Sequence, residues 1–237
     1  MLKDHRRSKP VIVLGMHRSG TSCLTGCLQE AGLYLGEVNN KAGFNLKGNK
    51  ENEVIRSLHD EILARAKASW DNPPIEDPFW TAEELAQLAE AISGYENIET
   101  WGLKDPRTLF MMQGWTQLCD PVFVGTYRHP QEVASSLVKR AKIWKQEMSF
   151  EKAYDLWRVY NEKLLEQYKK KPFSILRYDI NVDLYNAKVR QICRQIGLRD
   201  DNTISFREEA LHNNKGEGHN IPETCQNIWE TLENAAL

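Results

Sequence analysis

The stretch VIVLGMHRSGTS, residues 11–22, decides the fold. Its first part, VIVLG, is a short apolar run typical of a strand buried on both faces. Gly15 and Gly20 frame the following turn and can adopt the positive φ that it needs. Residues 21–31 then carry apolar side chains at helical spacing. The pattern predicts an anion cradle in which the amides of residues 17–22 converge at a helix N-terminus.

The spacing within this turn matches the P-loop, G-x-x-x-x-G-K-[ST], except at one position. Thr21 stands where the P-loop has lysine, and the nearest basic group is Arg18, inside the loop. A nucleoside triphosphatase needs that lysine on the β- and γ-phosphates, together with a metal-binding acid after another strand. The turn therefore predicts binding of a phosphate-like group, and the alternative is a plain glycine turn between strand and helix.

The rest of the chain alternates short apolar runs with helical patterns. Strands are predicted at IETWGL (98–103), PVFVGTY (121–127) and FSILRY (173–178), and helices at 50–68, 81–92, 149–170 and in the amphipathic stretch 221–237. In the first of these helices we expect Val54, Leu58 and Ile62 to face the core. The stretch 69–80 contains three prolines and predicts a packed surface loop. The alternation predicts one α/β domain, residues 1–237, with a P-loop-like central parallel sheet flanked by helices.

Composition excludes several classes of protein. Of 237 residues, 41% are hydrophobic and 27% charged, which is typical of a globular chain. The formal charge of -2 gives no basic field, so we expect no nucleic-acid partner and only a local anion site. No apolar stretch approaches the ~20 residues of a membrane helix, and the charged start argues against a signal peptide. Five scattered cysteines predict reduced thiols in a cytoplasm; for Cys23 and Cys27 we favour core packing over a metal or redox pair.

A second constellation follows the strand at 121–127. Arg128 ends this strand, Pro130 occupies a first-turn position, and Ser136 lies eight residues after the arginine on the predicted helix. The carboxyl end of a strand in an open α/β sheet is where ligands bind. A guanidinium and a hydroxyl there suit a phosphate, whereas the alternative is an arginine paired with a surface carboxylate.

Together these two segments resemble the sulfotransferases that use 3′-phosphoadenylyl sulfate (PAPS), and most closely their bacterial members with a G-M-H-R-S-G-T-S loop. The resemblance implies that the loop holds the 5′-phosphosulfate and that Arg128 and Ser136 hold the 3′-phosphate, with Tyr178 near the adenine. The loop residues concerned are His17, Arg18, Ser19, Gly20, Thr21 and Ser22. The bacterial members also carry a K-D-P-R element, here residues 104–107, and an N-x-K-G-x-x-E element, here residues 45–51.

The activity implied by this resemblance is transfer of the sulfuryl group from PAPS to an acceptor hydroxyl or amine, which leaves 3′-phosphoadenosine 5′-phosphate (PAP). No metal is expected, because backbone amides, Arg18 and Lys104 neutralise the leaving phosphate. Cytosolic members place their histidine base two residues after that lysine, where this chain has Pro106. We take Glu51 as the first candidate base, on the apolar stripe of a helix that starts near residue 50; a first-turn acid serving the helix dipole is the alternative. Other candidates for the base are Glu53, His59, Asp105 and Glu37.

Two other functions stay open at this point. One is an ATP- and magnesium-dependent kinase with a degenerate P-loop, in which Asp179 binds the metal; the other is a nucleotide-binding scaffold without chemistry. The acceptor is expected to be a small molecule, a carbohydrate or a lipid, selected by loops 33–49 and 69–80 and by a helical segment at 139–160. Aromatic and basic residues in those segments are Trp70, Phe79, Trp80, Lys139, Arg140, Trp144 and Lys145. Lys215 has no assigned role, and the sequence does not indicate an oligomeric state.

Overall fold

Four parallel strands form the sheet that organises the molecule. The computed structural model describes residues 9–39, 48–201 and 220–237. Its strands, in the spatial order β2-β1-β3-β4, are β1 (Val11–Leu14), β2 (Gly102–Lys104), β3 (Val122–Tyr127) and β4 (Ser174–Arg177). Val13 lies opposite Lys104 on one side and Val124 on the other, and every pairing is parallel. The carboxyl ends of all four strands therefore meet at one edge, which confirms the predicted α/β class.

Helices flank this sheet within the described residues. They are α1 (Thr21–Glu30), α2 (Glu53–Arg65), α3 (Ala82–Ser93), α4 (Met112–Leu118), α5 (Pro130–Ile143), α6 (Phe150–Lys170), α7 (Val182–Gln195) and α8 (Glu223–Ala235), with a 3-10 turn at Pro106–Phe110. Local signals explain several of their first residues. Thr81 and Glu84 form a capping box at α3, and Pro130 occupies the first turn of α5. None of these helices combines the length and apolarity needed to cross a bilayer.

Alternating side chains of β1 feed two hydrophobic clusters, one on each face of the sheet. Ile12 and Leu14 belong to the first cluster, which includes side chains of α2, α5, α6 and α8. Val11 and Val13 belong to the second cluster, together with side chains of α1 and α7. Successive residues of a strand point to opposite faces, so four consecutive apolar residues are what a strand covered on both sides requires.

The structure corrects three expectations about the elements. Val54 is 67% exposed, and Ile55 takes the predicted inward position beside Leu58 and Ile62. Helix α2 begins at Glu53, because Asn52 caps it by accepting hydrogen bonds from two backbone amides. The expected helical segment at 139–160 is interrupted between Ile143 and Phe150.

Two of the described helices, α4 and α7, are missing from the sequence expectations. Helix α7 follows β4 and covers the second cluster with Tyr185, Val189 and Ile192. The apolar spacing of these three residues, and Asn181 as the N-cap, were signals in the sequence that predict this helix. By contrast, the irregular course of residues 69–80 and the packing of α8 onto the domain, through Trp229, agree with expectation.

Candidate active site

The loop between β1 and α1 lies at the carboxyl edge of the sheet and has the geometry of an anion cradle. Gly15 and Gly20 have φ values of 146° and 85°, and a Cβ on Gly15 would lie 2.4 Å from the carbonyl oxygen of Thr126. The amides of Gly20, Thr21 and Ser22 meet no acceptor within the described residues. The prediction that every amide of residues 17–22 converges is wrong for Ser19, whose amide donates to the Met16 carbonyl at 3.2 Å.

Neighbouring elements hold this loop in place. The Thr126 hydroxyl of β3 donates to the Ser19 carbonyl at 3.2 Å, and the Ser22 hydroxyl donates to the Asn49 carbonyl at 3.0 Å. The Ser19 hydroxyl itself is fully buried and has no hydrogen-bond partner among the described residues. A buried polar group without a partner is costly, and this oxygen therefore marks a place where a bound ligand would supply the missing bond.

Arg18 joins the two segments that the sequence singled out. Its Nε donates to the Ser136 hydroxyl at 2.9 Å, although the residues are 118 positions apart in the chain. Burial, together with the charges of Arg140 and Arg128, lowers the pKa of Arg18 to about 10. Arg18 also has a φ of 68°, which is uncommon for a side chain larger than glycine. The loop thus holds a strained, desolvated cation among other cations, an arrangement that favours binding of an anion.

Arg128 lies beside the same cradle. Its carbonyl accepts a hydrogen bond from Trp157, and its guanidinium pairs with Glu132 at 3.2 Å and lies 5.3 Å from the ring centre of Tyr178. The Tyr178 ring in turn packs so closely on Gly20 that a Cβ there would lie 2.2 Å from a ring carbon. The Nε of Arg128 is buried without a partner. Arg128 is therefore paired with a carboxylate, that of Glu132, as the alternative interpretation predicted. This ion pair leaves the Nε of Arg128 without a hydrogen bond among the described residues.

Lys104 and Glu51 form a buried ion pair at the edge of the sheet. The Nζ of Lys104, the last residue of β2, donates to Oε1 of Glu51 at 2.6 Å, and the two side chains are 2% and 10% exposed. Lys104 is therefore not an ordinary solvated lysine. Glu51 lies before the first residue of α2. The predictions that it lies on the apolar stripe of this helix, or in its first turn, are therefore wrong. Its burial is explained by its ion pair with Lys104.

The K-D-P-R element builds a second buried network next to this pair. Asp105 binds the Nδ1 of His59 at 2.7 Å and the Nη1 of Arg107 at 2.9 Å, and Arg107 also bonds Asp60. The indole of Trp115 donates to Nε2 of His59 at 3.2 Å. His59 therefore donates from Nδ1 to the carboxylate, and its remaining lone pair is engaged by Trp115. Burial alone would raise the pKa of Asp105, but the hydrogen bond from His59 and the charge of Arg107 lower it.

These contacts decide between several candidates for the base. His59 and Asp105 are satisfied within their network, and Glu53 is exposed and paired with Arg56 at 2.5 Å, which lowers the pKa of Glu53. Glu37 is exposed on the chain that follows α1. Glu51 is the candidate that lies buried against a cation of the cradle. Asn45, Leu46 and Lys47 of the N-x-K-G-x-x-E element, and Lys215, lie outside the described residues.

His17 lines the loop with an aromatic ring. This ring packs against Trp70 and Tyr160, with centroids 5.0 Å and 5.7 Å away, and its Nε2 is buried without a partner among the described residues. Burial, helped by the charges of Arg107 and Arg140, lowers the pKa of His17 well below its ordinary value. A neutral imidazole here provides an apolar wall to the cradle and a nitrogen available for hydrogen bonding.

The aromatic residues expected around the acceptor separate into three groups. Trp80 is buried against Gly114 and His59 and belongs to the core. Phe79 is 66% exposed under the guanidinium of Arg65, away from the cradle residues. Trp70 and Trp144 flank Arg140 next to the loop. Lys139 and Lys145 are exposed on the last turns of α5 and beyond.

The remaining expectations concern a metal-binding acid and the cysteines. Asp179 is the residue that would bind the metal if the protein were a kinase. Its carboxylate accepts hydrogen bonds from Arg177 and from the amide of His129. Cys27 is fully buried in the second cluster and Cys23 packs beside it, as core packing predicts. All five cysteines lie among the described residues and carry free thiols.

Comparison with known proteins identifies the class that this site defines. A family model described as "Sulfotransferase family" matches residues 10–202. The chain belongs to the sulfotransferase family and is a transferase of sulfuryl groups. No curated protein matches it in sequence.

Solved structures with the same fold support the architecture. A sulfotransferase domain from the Synechococcus PCC 7002 olefin synthase is 16% identical with a TM-score of 0.60, each chain covered over 98% of its length. A sulfotransferase domain from the curacin biosynthetic pathway is 14% identical with a TM-score of 0.57, covering 96% of this chain and 98% of its own. A sulfotransferase from Mycobacterium tuberculosis is 16% identical with a TM-score of 0.54, over 98% of this chain and 78% of its own.

Proposed function

We propose that this protein transfers the sulfuryl group of PAPS to a hydroxyl or amine of its acceptor and releases PAP. The observation that carries the proposal is the contact between Arg18 and Ser136, because it unites the loop expected to hold the 5′-phosphosulfate with the segment expected to hold the 3′-phosphate. Arg128 lies at the same sheet edge and, through Tyr178, against Gly20 of the loop.

The residues present suit a donor with two separated anionic groups. Three buried polar atoms in this region have no partner within the described residues: Oγ of Ser19, Nε of Arg128 and Nε2 of His17. The amides of Gly20, Thr21 and Ser22 add donors at the N-terminus of α1, whose dipole favours negative charge. Tyr178, beside both Arg128 and Gly20, offers a ring face to a planar base.

The donor brings a sulfuryl group that moves from a phosphate oxygen to the oxygen or nitrogen of the acceptor in a loose, in-line displacement. The protein's task is therefore positioning and neutralisation of charge. Arg18 and the loop amides hold the phosphosulfate. Lys104 neutralises the charge that develops on the leaving phosphate. The Lys104 ammonium group is paired with Glu51 at 2.6 Å. To neutralise the leaving phosphate, Lys104 therefore gives up its contact with Glu51 and pairs with that phosphate. Glu51, once released, accepts the proton of the acceptor hydroxyl.

Calorimetry with PAP and with ATP–magnesium tests this function against the two alternatives. We expect sub-millimolar binding of PAP and much weaker binding of ATP–magnesium. Preference for ATP–magnesium would support the kinase, which has no support from the family match. Binding of PAP without turnover of PAPS over a broad panel of small-molecule, carbohydrate and lipid acceptors would support a scaffold.

The substitution Arg128→Ala tests the second half of the donor site. It removes charge-assisted hydrogen bonds worth roughly 1.5–3 kcal/mol, so PAP should bind about 10- to 100-fold more weakly. A matched control is Arg158→Ala, since Arg158 pairs with Asp155 and Glu162 on the exposed face of α6. Equal PAP affinity in both variants would contradict the assignment of Arg128.

A cytoplasmic location remains a prediction, based on the free thiols.

A further inference from the structure

Arg140 lies at the edge of the candidate donor site. It follows Ser136 by four residues on α5, and therefore shares the helix face that Ser136 turns toward Arg18. The charge of Arg140 is the largest neighbouring charge among those that lower the pKa of Arg18. Trp70, over which Arg140 lies, also contacts His17 of the loop, with 5.0 Å between the ring centroids. Arg140 is therefore a neighbour of the loop although it is far from it in sequence.

The other cations of this region except Arg18 already have carboxylate partners. Lys104 pairs with Glu51, Arg107 with Asp105 and Asp60, and Arg128 with Glu132. Among the described residues, no carboxylate oxygen lies within 4.0 Å of Arg18 or Arg140. Arg18 bonds Ser136 and is assigned to the donor. Burial lowers the pKa of Arg140, and the charges of Glu51 and Asp71 oppose that shift without forming an ion pair with it among the described residues. Arg140 is therefore the cation of the site that still has no assigned role.

Two indole rings hold the guanidinium of Arg140 in place. Its central carbon lies 4.9 Å from the ring centre of Trp70 and 5.1 Å from that of Trp144. Such contacts contribute roughly 0.5–2 kcal/mol each and use the positive charge of the planar group. A planar guanidinium in such contacts can still donate its N–H bonds to a bidentate anion. Trp144 is 50% exposed, so this position is open to solvent on one side.

We propose that Arg140, held between Trp70 and Trp144, binds an anionic group of the acceptor: a carboxylate, phosphate or sulfate carried by the same molecule as the reacting hydroxyl or amine. The inference rests on the proposed function and names its substrate class. The donor's anionic groups already have Arg18, Lys104, Arg128 and Ser136 as partners. Arg140 adjoins the loop through Trp70 and adjoins solvent through the half-exposed Trp144. An anion on the acceptor would be held there while its hydroxyl or amine reaches the sulfuryl group.

Titration of the PAP-saturated protein with sodium sulfate, sodium phosphate and sodium acetate, at constant ionic strength, tests this proposal without an identified acceptor. Calorimetry measures the affinity, and tryptophan fluorescence reports on the rings that flank Arg140. We expect saturable millimolar binding of at least one anion, weakened at least 10-fold by Arg140→Gln and less by Arg140→Lys. The arm that binds best distinguishes carboxylate from phosphate or sulfate acceptors. Lys142→Gln, the same charge change at an exposed position two residues further on, should have no effect.

The PAP affinity of each variant separates the possible failures. Arg140→Gln should keep its PAP affinity within about twofold and its thermal midpoint within a few degrees. A large loss of PAP affinity would show that Arg140 serves the donor, and anion binding that persists in Arg140→Gln would place the anion at the vacated sulfuryl position; either result overturns the inference. Absence of saturable anion binding to the wild type also overturns it. If the wild type fails to bind PAP, the proposed function itself fails and this inference with it.

Discussion

At the scale of single residues, the proposed chemistry depends on the pair formed by Lys104 and Glu51. Taking two charges out of water is expensive, and their attraction repays that cost while both are present. The pair therefore holds Lys104 at the sheet edge in the absence of donor. It also holds Glu51 buried at the same edge of the sheet. Under the proposed function, a donor phosphate competes with Glu51 for the same ammonium group, so binding of the donor would be coupled to release of the proposed base.

Glu51→Gln tests this coupling because it changes binding and turnover in opposite directions. Freed from the carboxylate, Lys104 should bind PAP somewhat more tightly, whereas PAPS hydrolysis by water, which needs no identified acceptor, should slow by about 10²- to 10⁴-fold for want of the base. Calorimetry and release of labelled sulfate measure the two effects.

The matched variant Lys104→Met should lower both PAP affinity and turnover. It also leaves Glu51 as a buried unpaired carboxylate, so unfolding in urea should show a loss of about 3–5 kcal/mol. The double variant Glu51→Gln with Lys104→Met should recover part of that loss, because neither charge then remains buried. Additive losses in the double variant would mean that the two side chains are not energetically paired.

At the scale of elements, Asp105 ties three segments together. Its carboxylate accepts from His59 on α2 and from Arg107 of the 3-10 turn, while Trp115 of α4 completes the bonding of His59. Burial acts to raise the pKa of Asp105, but these partners outweigh it and the pKa lies below its ordinary value. A carboxyl whose pKa is depressed by folding stabilises the protein above its unfolded pKa, near 3.9, and that stability is lost as the pH falls toward the folded pKa.

Asp105→Asn should therefore change both stability and its dependence on pH. We expect a loss of about 3 kcal/mol or more at pH 7, since Arg107 loses a buried partner. We also expect a smaller decrease in unfolding free energy between about pH 5 and pH 3 than in the wild type. Urea titrations at several pH values measure both. Glu90→Gln, at an exposed position of α3, is the control. If the unfolding free energy of Asp105→Asn falls as steeply with decreasing pH as that of the wild type, other carboxyl groups cause the acid sensitivity.

The elements also show what the sequence could predict and where prediction ended. Strands β1, β3 and β4 appear in the sequence as continuous apolar runs, and the cradle loop is defined by local spacing, so these were predicted. The strand predicted at 98–103 lacks such a run, and β2 lies instead at Gly102–Lys104. The partner of Lys104 was not, because Glu51 lies 53 residues away and reaches it through an irregular segment before α2. The contact of Arg140 with Trp70 likewise depends on tertiary packing that no local pattern contains.

At the scale of the whole molecule, the prediction of a single domain implies that the two hydrophobic clusters unfold together. The sheet separates two clusters, but β1 contributes alternate residues to both, so neither cluster can lose its packing without disturbing the strand shared with the other. The two sides carry different reporters. Trp115 and Trp157 are buried in the first cluster, whereas Cys27 and Cys193 are buried in the second. The first cluster also buries Cys119 and Cys225, so labelling is assigned to each cysteine by peptide mass spectrometry. Tryptophan fluorescence and the labelling of Cys27 and Cys193 then follow the two faces independently.

We expect the two reporters to give one coincident urea transition. PAP at about 100 times its Kd should stabilise the native state by roughly 2.7 kcal/mol and move both curves by the same amount. The reason is that the cradle lies at the edge where strands contributing to both clusters end, so the ligand binds a surface that exists when both faces are packed. Labelling of Cys27 and Cys193 before the loss of tryptophan fluorescence, or a PAP shift confined to one reporter, would mean that the faces unfold separately and that the chain is not one cooperative domain.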